Sequence, residues 1–142
     1  AESSLLDVSC TPTPNRCTAV GIWKYLARQY TVAYRFNGTS TWTLQSTPNG
    51  SESFGATNTL RDVSCATETS CTAVGEWGIW GGSMQTLAQH WNGSSWAIQG
   101  TPNPEGASSS LLYGVSCQEG SCLGAGWSTT GSTDKTLSEI RE

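Results

Sequence analysis

Histidine is almost absent from this chain of 142 residues, with His90 the only one, and charged residues make up just 13%. The first shortage removes the commonest metal ligand and general base. The cysteines fall in Cys-x4-Cys to Cys-x6-Cys pairs with no partner ligands at zinc spacing, so no metal site is expected. No serine or cysteine stands at a fixed relation to His90, and Arg35 and Ile140 hold the equivalent places in the neighbouring repeats. It therefore reads as a variable surface position rather than a catalytic base. No stretch approaches roughly 18 consecutive apolar residues, which excludes a spanning or anchor helix and predicts a soluble chain. A net charge of -4 and an isoelectric point near 4.9 leave no electrostatic footprint for DNA or RNA. Two Phe stand against seven Trp, and Gly, Ser and Thr are abundant, a balance that suits short strands and turns rather than charged helices. No signal peptide is visible, and an opening at Ala1-Glu-Ser-Ser fits a mature form from which one has been removed.

What is present is repetition. LLDVSC ends at Cys10, LRDVSC at Cys65 and LYGVSC at Cys117, spacings of 55 and 52 residues, the mark of stacked supersecondary units. A second landmark is Cys-Thr-Ala-Val-Gly at 17–21 and 71–75, loosened to Cys-Leu-Gly-Ala-Gly at 122–126. A third is TVAYRFNG (31–38), TLAQHWNG (86–93) and TLSEIRE (136–142). The fourth, WTLQ then TPN (42–49) and WAIQ then TPN (96–103), occurs twice. The chain divides as one array, 1–142, with units at 5–49, 60–103 and an incomplete one at 111–142.

Each unit carries one close cysteine pair: Cys10/Cys17, Cys65/Cys71 and Cys117/Cys122. Pairing within units is the expected disulfide pattern. Closing loops this short stabilises each unit by roughly 2 kcal/mol on the chain-entropy model. Such bonds persist in oxidising compartments, so a secreted or cell-surface protein is expected. In chain order, residues 5–10 read as a strand, and the two prolines of 11–16 as a turn that ends it. Residues 17–21 return antiparallel, 22–29 are aromatic and irregular with room for a short helix, 31–36 alternate, and Asn37-Gly38 leads to a strand at 42–45. Asn-Gly between alternating runs is a strong hairpin signal. The second unit repeats this with strands at 61–65, 71–75, 86–91 and 96–99 about an Asn92-Gly93 turn. The third supplies strands at 113–117, 122–126 and 136–141, making eleven where twelve would complete the pattern.

Four antiparallel strands per unit is the size of a β-propeller blade. The pattern also resembles a group of secreted bacterial, largely actinobacterial, tandem-repeat proteins with an LxxVSC…CxAVG…WNGxxW…TPNP unit, which look like β-propellers. That resemblance covers nearly the whole chain and implies a fold without transferring an activity. Arg141 departs from it, standing where Phe36 and Trp91 stand. The expected fold is thus all-β, β-propeller-like tandem repeats of four-stranded blades, about 2.75 in number, with one disulfide per blade. A propeller closes with about four to eight blades. The chain is therefore a fragment of a longer one, a subunit of a closed ring, or a subunit that extends openly through the free strand at Thr136, Leu137 and Ile140 up to Glu142. An isolated monomer is not expected.

Alternating strand direction puts the disulfide turns and Asn-Gly turns at one end and the aromatic segments at the other, beside the Pro-Asn linkers. That second end would display Trp23, Tyr25, Tyr30, Trp77, Trp80 and Trp127. Aromatic platforms among Asn, Ser and Thr hold sugars by stacking and hydroxyl bonding, so the leading function is lectin-like glycan binding or cell-surface recognition without catalysis. The bland alternative is that these rings cap or pack between blades; for Trp42, Trp91 and Trp96, inside strands, packing is the expectation. The rival function is a structural subunit that polymerises through its incomplete third blade into a fibre or sheath. Asp7 and Asp62 recur at one position, replaced by Gly114 in the third copy, and are expected to satisfy backbone donors rather than to form a hydrolytic pair. Asn37 and Asn92 match glycosylation sequons that hairpin turns equally explain. No cofactor is implied.

Overall fold

The computed structural model describes residues 1–12 and 15–141, and the side chains of Ile140 and Arg141 lie outside the described set. It is all-β, with no helix among the described residues. Eleven strands run in order: β1 (Glu2–Pro12), β2 (Asn15–Tyr25), β3 (Arg28–Phe36), β4 (Trp42–Gln45), β5 (Ala56–Thr67), β6 (Ser70–Ile79), β7 (Gln85–Trp91), β8 (Trp96–Gln99), β9 (Ser109–Gln118), β10 (Ser121–Thr130) and β11 (Thr133–Arg141). Each unit is an antiparallel meander, β1-β2-β3-β4, β5-β6-β7-β8 and β9-β10-β11. One parallel bridge, Gln29 to Thr57, joins the first two meanders into an eight-stranded mixed sheet, and the third stands as its own three-stranded sheet; the meanders of the three units are called the first, second and third sheets below. No closed barrel or ring of sheets forms among the described residues.

Three disulfides, Cys10–Cys17, Cys65–Cys71 and Cys117–Cys122, tie directly opposed residues of the first two strands in each unit, with Cα atoms 3.9 to 4.1 Å apart. Every unit also carries a bulge four residues before its first cysteine, at Leu6, Arg61 and Tyr113, which the facing strand skips. Opposite the bulge sit Gly21, Gly75 and Gly126, and a Cβ on any of them would collide with a backbone carbonyl of the neighbouring strand. The glycine that closes each CxAVG-type motif is therefore imposed by strand approach.

Several strands are longer than the sequence suggests. β1 runs through the first disulfide to Pro12, where a strand-ending turn was expected at 11–16; Thr13 and Pro14 lie outside the described residues. The segment 22–29 holds no helix. β2 zips with β3 to Tyr25 and turns through Leu26, whose φ is 54°. Aromatic and β-branched side chains favour the pleated surface, so pairing continues until a residue accepts positive φ. The Asn-Gly turns are not two-residue turns with both residues at positive φ. Gly38 and Gly93 take φ of 91° and 96°, while Asn37 Oδ1 accepts from Thr39, Ser40 and Thr41 amides and Asn92 Oδ1 from Ser94 and Ser95 amides. These turns lie at the disulfide end, since a Cβ on Gly38 would meet the Asn15 carbonyl.

The core lies between units. Leu60, Val63, Cys71, Ala73, Leu87, Trp91 and Trp96 on one face of the second sheet pack against Val20 and Ala33 of the first. Leu112, Val115 and Leu137 repeat that contact against Val74 and Ala88.

Candidate functional site

The recurring aspartates lock one unit to the next. Asp7 Oδ2 accepts from the Val63 amide at 2.9 Å and Ser9 Oγ from the Cys65 amide at 3.0 Å. One unit on, Asp62 Oδ2 accepts from the Val115 amide at 2.7 Å and Ser64 Oγ from the Cys117 amide at 2.9 Å. Asp-x-Ser points both side chains to one side of its strand, and the following unit's first strand supplies two amides at the same two-residue spacing. Gly114 breaks the pattern in the third unit. Burial and the adjoining Asp7 carboxyl hold the Asp62 pKa up at about 6. These carboxylates satisfy backbone donors, as the sequence suggested.

The linkers are fastened by a second repeated device. Asn49 Oδ1 accepts from the Thr31 amide and Asn103 Oδ1 from the Thr86 amide, at 2.8 and 3.0 Å. The paired threonine hydroxyls, Thr31 with Thr47 and Thr86 with Thr101, lie 2.8 and 2.7 Å apart. Thr-Pro-Asn is thus a clasp on the first threonine of the third strand. Asn58, fully buried, ties the first linker down further through the Gly50 amide and the carbonyls of Gln29 and Ser51. Nothing in the repeat pattern marked Asn58, which has no counterpart in the other units.

The predicted aromatic platform separates into distinct groups. Trp23 stacks on Tyr25 at 5.9 Å and 10° and leans on Tyr30 at 5.2 Å, all on the uncovered face of the first sheet. Trp77, its counterpart, is half-buried against the core, with its ring lying over Gly50 of the linker. Trp80 occupies the β6–β7 turn at 65% exposure, edge-on to the exposed Phe54. A hollow of about 210 Å3 beside it is lined by Lys24, Leu26, Arg28 and Gln29. Trp127 pairs with Leu111 and Thr136, one position past Gly126, whereas Trp23 and Trp77 stand two past Gly21 and Gly75, so it faces the opposite way. Five of the six are strand residues and not loop residues, because the hairpins extend further than their CxAVG cores. His90 Nδ1 lies 3.4 Å from Thr72 Oγ1.

A cavity of about 720 Å3 opens between the second and third sheets. Val74, Ala88, Leu112 and Val115 line it, joined by Gln99, Pro102, Gly124 and Glu139 at its mouth and wall. Both carboxyl oxygens of Glu139 are out of contact with solvent and lack a hydrogen-bond partner, and burial raises its pKa to about 7. Sequence reasoning passed over Glu139; its signal was the alignment with Gln89, whose Nε2 donates to the Pro48 carbonyl at 2.6 Å. No group of three or more His, Cys, Asp or Glu side chains that could hold a metal ion occurs among the described residues.

Compared with known proteins, the chain matches no family model, no curated protein and no solved structure.

Proposed function

We propose that the chain is a run of β-propeller-type blades and acts as a secreted, non-catalytic assembly and recognition module that binds further units of its own kind, a second copy first among them. One observation carries this reading. Leu5, Val8 and Trp42 on the outer face of the first sheet are 53%, 53% and 45% exposed, whereas their counterparts Leu60, Val63 and Trp96 in the second are 0%, 4% and 6% exposed. The same residues that build the interface between the first two units are exposed in the first. A contiguous apolar face of this kind marks an interaction surface. The complementary surface is the outer face of the third sheet, which presents Leu123 where Thr18 and Thr72 receive the next unit. Ser116 holds the place from which Ser9 and Ser64 reach the next unit's cysteine amide, and Cys10 supplies that amide in a second copy. Three disulfides are compatible with an extracellular setting.

Size exclusion with light scattering, followed by negative-stain imaging of the same sample, tests the reading. A multimer is expected, either a discrete ring or a longer polymer, and Val8→Glu with Trp42→Arg should reduce it to single chains with unchanged circular dichroism. A monomeric wild type at all concentrations would sink the proposal. A second reading, glycan recognition, is favoured by Trp80 with Phe54 beside a hollow carrying Lys24, Arg28 and Gln29 as donors. On a glycan array, Trp80→Ala should abolish any signal that Trp23→Ala leaves intact; retention of binding would remove that site from consideration.

A further inference from the structure

The junction of the first two sheets carries exposed rings and cations that the repeat does not require. Three segments meet there: the β2–β3 turn, the linker into β5 and the β6–β7 turn. Main-chain bonds fix them to one another, the Gly55 amide donating to the Ala27 carbonyl and the Trp80 amide to the Gly55 carbonyl, both at 3.1 Å. The Trp80 side chain lies against Gly55, where a Cβ would sit 3.5 to 3.6 Å from its Cβ, Cδ2 and Cε3, and the Phe54 ring meets it edge-on at 6.3 Å and 74°. The indole is thus held from one side, yet it remains 65% exposed. Beside it, Lys24, Leu26, Arg28, Ala56 and Thr57 wall the small hollow. Lys24 and Arg28 are exposed, and neither enters an ion pair among the described residues, although the chain carries a net charge of -4. Glu2 stands across the β1–β2 pair from Lys24 without bridging to it. Arg16 and Arg61, by contrast, face Glu68 and Glu76, and Arg35 is bound to the Glu68 carbonyl.

The second junction shows what the architecture alone demands. Its linker turn is the same, with the Ala107 amide donating to the Pro104 carbonyl as the Ala56 amide does to that of Ser53, and with Gly106 at φ 76° against 79° for Gly55. Glu105 stands there in place of Phe54 and, counting from Gly126 as from Gly75, Gly131 in place of Trp80. Gly78 holds the position of Lys24, three past the glycine that faces the bulge. The same turn therefore forms without ring or cation. We propose that the hollow at the first junction, built wholly from residues 24–80, binds an acidic saccharide, a pyranose carrying a carboxylate or sulfate group. The sugar ring lies on the free side of the Trp80 indole and the anionic group reaches Lys24 and Arg28. This rests on the glycan reading of the Trp80 site and names the class of sugar it takes. At about 210 Å3 the hollow is smaller than the roughly 300–1,000 Å3 of sites that enclose drug-sized ligands, so it takes one sugar unit and leaves the rest of a glycan outside. Exposed ion pairs contribute modestly and are screened by salt, whereas an indole offers a large, rigid contact face. The ring holds the sugar and the cations choose among sugars.

The test is a glycan array probed with the full chain and printed in matched triplets of the gluco, galacto and manno series. Each triplet ends in the neutral hexose, its uronic acid or its 6-sulfate. At least one acidic member should bind several-fold more strongly than its neutral partner, and the difference should shrink as salt is raised to about 0.5 M. Lys24→Gln combined with Arg28→Gln should bring the acidic member down to the level of the neutral one. Trp80→Ala should weaken every member on the order of tenfold or more, as loss of an aromatic anchor does, and circular dichroism should be unchanged in both variants. Equal binding of neutral and acidic members would overturn the proposal and leave the glycan reading intact. A charge preference that survives in the Lys24→Gln, Arg28→Gln variant would overturn it by placing the anion elsewhere, and binding to no member would end both. Sedimentation with phosphatidylglycerol vesicles, without any array signal, would overturn it in favour of a lipid surface.

Discussion

Gln89 and Glu139 hold the same register position in successive units, opposite Ala73 and Gly124, yet one can donate a hydrogen bond and the other, once ionised, cannot. Gln89 Nε2 donates to the Pro48 carbonyl, and Pro102, the counterpart of Pro48, lines the same cavity as Glu139. A carboxyl group in an apolar recess with no hydrogen-bond partner resists ionisation, and burial places its pKa at about 7 against an ordinary 4.5. Because the folded-state pKa is raised, the stability this group lends is complete below pH 4.5 and is lost as pH rises through 7. Glu139→Gln should therefore match the wild type at pH 4 and exceed it at pH 8 by on the order of 1 kcal/mol, a value reduced for solvent screening of a group that is only partly buried. Urea midpoints at the two pH values check this; an equal gap at both would assign the effect to packing. Asp62, with its pKa at about 6 through burial and the Asp7 carboxyl, adds a second decline in an overlapping window that remains in the variant.

At the scale of strands and turns, what could be read from the sequence was whatever a short-range rule dictates. The cysteine pairs, the central residues of all eleven strands and the two Asn-Gly turns follow from local chemistry, and they are where the structure places them. The ends of the hairpins were not legible. Whether 22–25 and 76–79 continue as strand depends on the partner strand and on where a residue can take positive φ, at Leu26 and Gly81, and not on their own periodicity. The bulges at Leu6, Arg61 and Tyr113 were hidden for a similar reason, since a bulge is a relation between two strands. Its trace was Gly21, Gly75 and Gly126, recurring where a carbonyl approaches too closely for any Cβ. The site residues divide in the same way. Asp-x-Ser recurring in two units and broken at Gly114 carried the signal of an inter-unit lock. The equivalence of Trp127 to Ile22 and Glu76, not to Trp23 and Trp77, required counting from Gly126. Arg61 illustrates what no repeat could show: it forms a two-pronged bond to the buried Glu76, at 2.7 and 2.5 Å, while stacking on Tyr113 of the next unit, and no other unit has either partner.

Across the whole molecule, stability rests on contacts between sheets more than within them, because each sheet alone has two broad faces and no core of its own. The disulfides report this hierarchy. Cys10 is exposed and Cys17 half-buried on the outer face of the first sheet, where no other unit covers them. Cys71 is 1% exposed in the main core, with its sulfur 3.7 Å from Thr18 Oγ1 of the first unit. Both bonds close loops of similar length, with sequence separations of 7 and 6, so the entropy released on opening them is nearly equal. Replacing Cys10 and Cys17 by alanine should then cost roughly 2 kcal/mol, the closure contribution alone. The same change at Cys65 and Cys71 removes that contribution and leaves a sulfur-sized void between two sheets, a further loss of about 1–2 kcal/mol. Urea unfolding of the two double variants separates the components, since the chain-entropy effect is common to both. Unequal losses in that order would show that the second unit couples its neighbours into one cooperative structure, and equal losses would show three units held by their own staples.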